Sequence, residues 1–161
     1  MGNEAVMDYL ITDRTESEVK AVAAALARIK GGRETSEDIA LISSNKGSYN
    51  HTDLNRVGNA VRQVATELRK HGYDATITGK IDWTEADLPQ KADIDAYLSD
   101  IEAIRSAIPV GKGVPKVPTM PLDYSKANDI EKILLDVYAL AKNIEKSWYY
   151  AGEIFSGERS F

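Results

Sequence analysis

The sequence predicts a mainly α-helical bundle of four substantial helices and one short helix, with a small β element near residues 73–81. Apolar residues recur at helical spacing in several long stretches, and capping or stop residues flank those stretches. Only residues 73–81 change to an alternation of apolar and polar positions, which is typical of a half-buried strand. The 161 residues are the usual length of one domain, so we expect a single helical domain over residues 1–161.

The first helix is expected after Thr15, because Glu18 three residues later completes a capping box. Its apolar positions continue to Ile29, and Gly31-Gly32 ends it. The preceding residues 6–11 form a short apolar segment. A shorter helix is predicted over residues 36–43.

A third helix is expected to begin with Thr52 or Asp53 as its cap. His71 lies in its last turn, where a positive charge is favoured, and Gly72 supplies the residue beyond its end. The strand predicted next needs a partner, because an isolated strand is not stable. The candidates are residues 6–11 and residues 152–156.

Pro89 is suited to opening a fourth helix, whose apolar face runs from Ile94 to Ile108. Residues 109–121 hold four of the five prolines and are interpreted as an ordered connector, not a domain boundary. The last helix is the longest in this prediction. Asp123 or Ser125 caps it, and it is expected to run to about residue 150, with Gly152 ending it.

The composition excludes several classes of protein. Without cysteine there is no disulfide or thiolate metal site, and the chain suits a reducing cytoplasm. The net charge is −5 and no basic stripe is present, so nucleic-acid binding is not expected. No apolar run approaches the roughly 20 residues that span a bilayer, so no membrane partner is expected.

No residue pattern predicts catalysis, a cofactor or a metal. The two histidines, His51 and His71, are interpreted as residues at helix ends. The acids Asp82, Glu85 and Asp87 match no calcium loop, and acids in the first turn of a helix are expected from the helix dipole. Two alternatives stay open around Trp83. The aromatic ring with its nearby acids could contact a glycan, or the acids could serve a small hydrolase.

Several local phrases resemble a structural module from the tail region of bacteriophages and prophages of Firmicutes, especially those of gut anaerobes. The most specific phrase is Tyr-Asn-x-Thr-Asp-Leu-Asn-Arg-Val-Gly at residues 49–58. The similarity covers nearly the whole chain and includes residues 10–15, 46–58, 82–83, 127–137 and 148–158. In similar proteins the module often stands at the front of a longer chain.

The resemblance implies a non-enzymatic virion component that is made in the host cytoplasm and resides in the tail. It would serve assembly, or anchor a host-binding part, with other tail proteins or a second copy as partners. The alternative function is binding of a bacterial cell-surface glycan through Trp83 and nearby acids. The predicted interaction patch comprises Tyr49, Asn50, Asn55, Arg56, Trp83 and Tyr149.

Two residues of the 49–58 phrase also imply close packing. Arg56 stands in the first turns of a helix, where its charge opposes the helix dipole. We therefore expect it to meet a carboxylate such as Asp13, or a partner surface. Gly58 inside a helix costs up to about 1 kcal/mol relative to Ala, which is understandable if another backbone packs closely against it.

Overall fold

The computed structural model describes residues 6–157, with side chains described as far as residue 147. It contains a 3-10 turn at Met7–Tyr9 and five α-helices. These are α1 (Glu16–Lys30), α2 (Ser36–Ser44), α3 (His51–Lys70), α4 (Lys91–Ser106) and α5 (Tyr124–Gly157). The predicted helical bundle of four substantial helices and one short helix is therefore confirmed.

The core lies where α3, α4 and α5 pack on one another. Each of these helices turns one apolar face inward, as their sequence periodicity predicts. The largest fully buried side chains include Val57, Val64 and Leu68 from α3, Ile101 and Ile104 from α4, and Ile130, Ile133, Leu134 and Val137 from α5.

The first helix begins and ends as predicted. Thr15 is its N-cap, Glu18 completes the capping box, and Gly32 has a left-handed φ of 66° just beyond its end. The cap of α3 differs from the prediction, which named Thr52 or Asp53. The cap is Asn50, whose Oδ1 accepts from the Thr52 N–H at 2.8 Å. The prediction placed the cap too late because a residue with a capping side chain already stood two positions earlier.

The start of α5 agrees with the prediction, but its end does not. Asp123 caps its start, because its carboxylate accepts from the Lys126 N–H at 2.9 Å. The helix then continues through Gly152 as far as Gly157. A single glycine lowers helix propensity by only about 1 kcal/mol, which does not by itself end a long helix.

The predicted β element at residues 73–81 is wrong, since no strand occurs among residues 6–157. Neither proposed partner is a strand: residues 7–9 form the 3-10 turn and residues 152–156 belong to α5. The alternating pattern nevertheless has a structural cause. From Tyr73 to Trp83 every second residue is at least partly buried, because one side of this segment lies on the helical core.

A side chain of α4 accepts hydrogen bonds from the backbone of this segment. In a sheet, a neighbouring strand would accept them. The buried carboxylate of Asp100 in α4 accepts from the Thr78 N–H at 2.9 Å and from the Gly79 N–H at 2.7 Å. Buried backbone donors must be paired, but the partner need not be another strand. The alternation of apolar and polar residues in the sequence cannot distinguish a strand partner from a helix side chain.

We expect Asp100→Ala to lower the free energy of unfolding by about 1–3 kcal/mol, because it leaves two backbone donors without an acceptor. Urea denaturation measures the loss, and amide hydrogen exchange at Thr78 and Gly79 should accelerate. Asp95→Ala is the matched control on α4, since Asp95 forms only an exposed pair with Lys91. Equal losses for the two variants would contradict the assigned role of Asp100.

The hairpin formed by α1 and α2 lies apart from the main core. Its two helices pack chiefly on each other, and Arg28 donates from Nε to Asp38 at 3.0 Å between them. Arg28 lowers the pKa of Asp38 to about 2, against the opposing effect of burial. The loop after α2 touches α1 so closely that a Cβ on Gly47 would lie 2.5 Å from the backbone of Glu18.

Candidate functional site

The start of α3 carries the 49–58 phrase, and its residues organise a buried cluster of charges. Arg14, on the segment before α1, donates to Glu131 of α5 at 2.6 Å, and Arg56 donates to the same oxygen at 2.9 Å. Asp53 lies 2.7 Å from Arg56 and 3.5 Å from Arg14. The side chains of Arg14 and Glu131 are 2% and 0% exposed. Two cations and two anions therefore balance away from water, as buried ions require.

The expectation that Arg56 meets a carboxylate is confirmed, but the carboxylate is not Asp13. Asp13 is exposed and pairs with Lys46 at 2.7 Å, whereas Arg56 turns inward to Asp53 and Glu131. The opposing dipole at the helix start is thus outweighed by two close anions, because Coulomb attraction is stronger where water is excluded.

Hydrogen bonds to the backbone extend this cluster and hold the N-terminal segment on α5. Glu131 accepts from the Ile11 N–H at 2.5 Å. The Asn128 amide both accepts from the Arg14 N–H at 3.1 Å and donates to the Arg14 carbonyl at 3.0 Å. The cluster therefore joins the N-terminal segment, α3 and α5 at one point.

Tyr49 connects the cluster to α4. Its hydroxyl lies 2.7 Å from the hydroxyl of buried Tyr97, and its ring lies under the Arg14 guanidinium at 5.3 Å. Tyr49 as a whole is 38% exposed, although its hydroxyl lies against Tyr97. Burial raises the pKa of both tyrosines, so both hydroxyls stay protonated and can share a hydrogen bond.

Asn55 and Gly58 attach the irregular segment after α3. The Asn55 amide accepts from the Trp83 N–H at 2.7 Å and donates to the Trp83 carbonyl at 2.8 Å. A Cβ on Gly58 would lie 2.7 Å from Ile81 Cγ2 and 3.4 Å from the Lys80 carbonyl oxygen. The expected close approach at Gly58 is therefore present, and it involves a side chain as well as a backbone.

A cleft of about 730 Å³ opens beside the start of α3. Three residues of the predicted interaction patch line it, namely Tyr49, Asn50 and Trp83, but Trp83 is only 8% exposed. The Trp83 indole N–H donates to the Lys80 carbonyl at 3.1 Å, so its polar edge is already bonded. The other patch residues are placed differently: Asn55 and Arg56 make the internal contacts above, and Tyr149 lies outside the described side chains.

Among the acids near Trp83, Asp87 is held in a turn by hydrogen bonds. Asp87 accepts from the Thr84 N–H at 2.7 Å and from Lys80 Nζ at 3.0 Å, which forms a turn. The hydrogen bonds from Thr84 and Lys80 lower the pKa of Asp87. A general acid needs the opposite shift, because it must hold its proton near neutral pH.

Arg14, Glu131 and Asp100 were missed from the sequence as site-forming residues. One signal was present for Glu131: it is a charged residue between Ile130 and Leu134 on the buried stripe of α5. A charge in such a position is almost always paired, so it indicates a buried partner without naming it.

The chain matches no family model, no curated protein and no solved structure. Among the described helices, none combines the length and apolar character needed to cross a bilayer. Any proposal about the function of this chain therefore rests on its structure and on its local sequence motifs.

Proposed function

We propose that this chain is a non-enzymatic structural module of a phage or prophage tail, which serves assembly or anchors a host-binding part. One observation carries the proposal. The residues of the 49–58 phrase, on which the resemblance depends, cap a helix, balance buried charges and fix a neighbouring segment. A structural component requires a fold of defined shape, and these contacts support the fold.

The α1–α2 hairpin is the surface that best suits a protein partner. Leu26 on α1 and Ile39 on α2 are 41% and 52% exposed, and the hairpin lies apart from the main core. These two side chains are proposed to belong to one apolar patch, which would favour contact with another protein. The partner is another tail protein or a second copy of the chain.

The double variant Leu26→Glu/Ile39→Glu tests this surface. We expect it to abolish self-association, or binding to purified tail proteins of the same phage, because two carboxylates cannot be buried against an apolar partner. Size-exclusion chromatography with light scattering and pairwise titrations measure the change. Circular dichroism should show unchanged helix content.

Thr66→Glu/Ser99→Glu is the matched control, since it adds the same charge at exposed positions of α3 and α4. It should assemble like the parent chain. Assembly that survives in the hairpin variant would refute the proposed surface. Absence of the chain from purified virions, measured by mass spectrometry, would refute the tail function itself.

A glycan-binding module is the second candidate, and the cleft beside α3 favours it. Tyr49 and the edge of Trp83 line this cleft together with exposed Glu85. This function requires saturable binding of cell-wall polysaccharide, measured by calorimetry, that Glu85→Gln weakens. Glu85 suits the test better than Trp83, because removing a buried ring would also disturb the fold.

A further inference from the structure

Three side chains with metal-binding atoms meet where the end of α3 lies against α5. Glu67 lies in the last turn of α3, His71 is the C-cap residue four positions later, and Glu145 comes from α5. One ligand atom from each lies within 4.8 Å of the others. Glu67 and His71 are 5% and 6% exposed, whereas Glu145 is 58% exposed. Two of the three side chains are therefore buried, and the third lies at the surface.

A buried carboxylate oxygen of Glu67 faces this cluster. Glu67 Oε1 is inaccessible to water and forms an ion pair with Lys142 Nζ at 3.3 Å, while the other oxygen of the same group binds Lys70 at 2.8 Å. Oε1 lies 3.5 Å from His71 Nε2. A buried carboxylate oxygen needs a cationic or hydrogen-bonding partner, and here that partner is a lysine that a metal ion could replace.

A cation already occupies the space between the two carboxylates. Lys142 Nζ lies 3.3 Å from Glu67 Oε1 and 3.5 Å from Glu145 Oε2. Burial raises the pKa of Glu67, yet Lys70 and Lys142 lower it on balance, so the carboxylate is ionised. The Lys142 side chain is partly exposed, and its flexible stem can turn outward when a stronger cation arrives.

We propose that Glu67, His71 and Glu145 bind one Zn²⁺ ion. Imidazole nitrogen and carboxylate oxygen are both ligands that zinc accepts, and three protein ligands with one water complete its tetrahedral shell. A pair at positions i and i+4 of a helix presents both ligands on one face. The bound ion would join the C-terminal end of α3 to α5 and displace the Lys142 ammonium. This inference does not depend on the proposed tail function.

The test is titration of the 161-residue chain with zinc chloride by calorimetry, together with thermal denaturation. We expect one ion per chain and a rise in Tm as zinc is added, because the ion binds the folded state. Glu145→Gln should weaken zinc binding by more than about tenfold. Loss of a residue that only orients a metal ligand already costs about that much, and Glu145 is itself a proposed ligand. Glu145 is exposed, so this variant keeps the fold.

Two further variants make the assignment specific. Lys142→Met removes the competing ammonium and should tighten zinc binding. His71→Ala should weaken it, whereas His51→Ala, at the other histidine, should leave it unchanged. With Co²⁺ in place of Zn²⁺, the visible absorption of a tetrahedral site should appear in the parent and not in His71→Ala. Equal zinc affinity in the parent, His71→Ala and Glu145→Gln, or no one-to-one binding at all, would overturn the proposal.

Discussion

Replacing Glu131 with Gln is expected to lower the free energy of unfolding by about 3–5 kcal/mol, because breaking a buried ion pair leaves an uncompensated charge. Glu131 is fully buried and bonds both Arg14 and Arg56, so its loss leaves two guanidinium groups facing Asp53 alone. Chemical denaturation followed by circular dichroism measures the change.

Asp136→Asn is the control on the same helix. Asp136 pairs with Lys132 in a partly exposed position, and such a pair contributes no more than about 1 kcal/mol. A Glu131→Gln variant that loses no more stability than Asp136→Asn would contradict the inference that the buried cluster is a main support of the fold.

A paired replacement separates charge balance from the rest of the effect. Arg14→Met with Glu131→Leu removes one cation and one anion, so Arg56 and Asp53 remain as a balanced pair. Apolar replacement of a buried ion pair is often neutral or stabilising. We therefore expect the double variant to be more stable than Glu131→Gln. The free energy of unfolding lost by the double variant is compared with the losses of Arg14→Met and Glu131→Leu measured separately. If it equals their sum, the two charges are not coupled.

Trp83→Ala is expected to destabilise the fold by about 3–5 kcal/mol, the usual cost of removing a large buried aromatic ring. Trp83 packs into the core and its indole N–H is bonded to Lys80. Trp83→Phe should lose less, because it keeps most of the apolar area and loses only the hydrogen bond. Thermal and urea denaturation measure both variants.

Tyr9→Ala provides the comparison, since Tyr9 is an exposed aromatic and surface substitutions usually change stability by about 0.5 kcal/mol or less. A stable Trp83→Ala chain would show that the ring contributes little to the core. Trp83 would then be free to serve as the main contact of a glycan, although the burial of its ring argues against that role.

Much of the helical architecture follows from local signals. The Thr15–Glu18 capping box, the stop at Gly31-Gly32 and the His71-Gly72 end of α3 were all predicted and are present. These features depend on residues within four positions of one another, so the sequence carries all the necessary information. Errors of cap position arose where two capping residues stood close together, as with Asn50 and Thr52.

The candidate sites depended on contacts between distant parts of the chain. The sequence by itself determined the helices, their apolar faces and the alternation after α3. Only the tertiary structure decided that Asp100 replaces a strand partner, that Glu131 pairs with Arg14 and Arg56, and that Glu145 meets His71. The physical reason is that periodicity records which side of a segment is buried, whereas the identity of its partner depends on how separate helices pack.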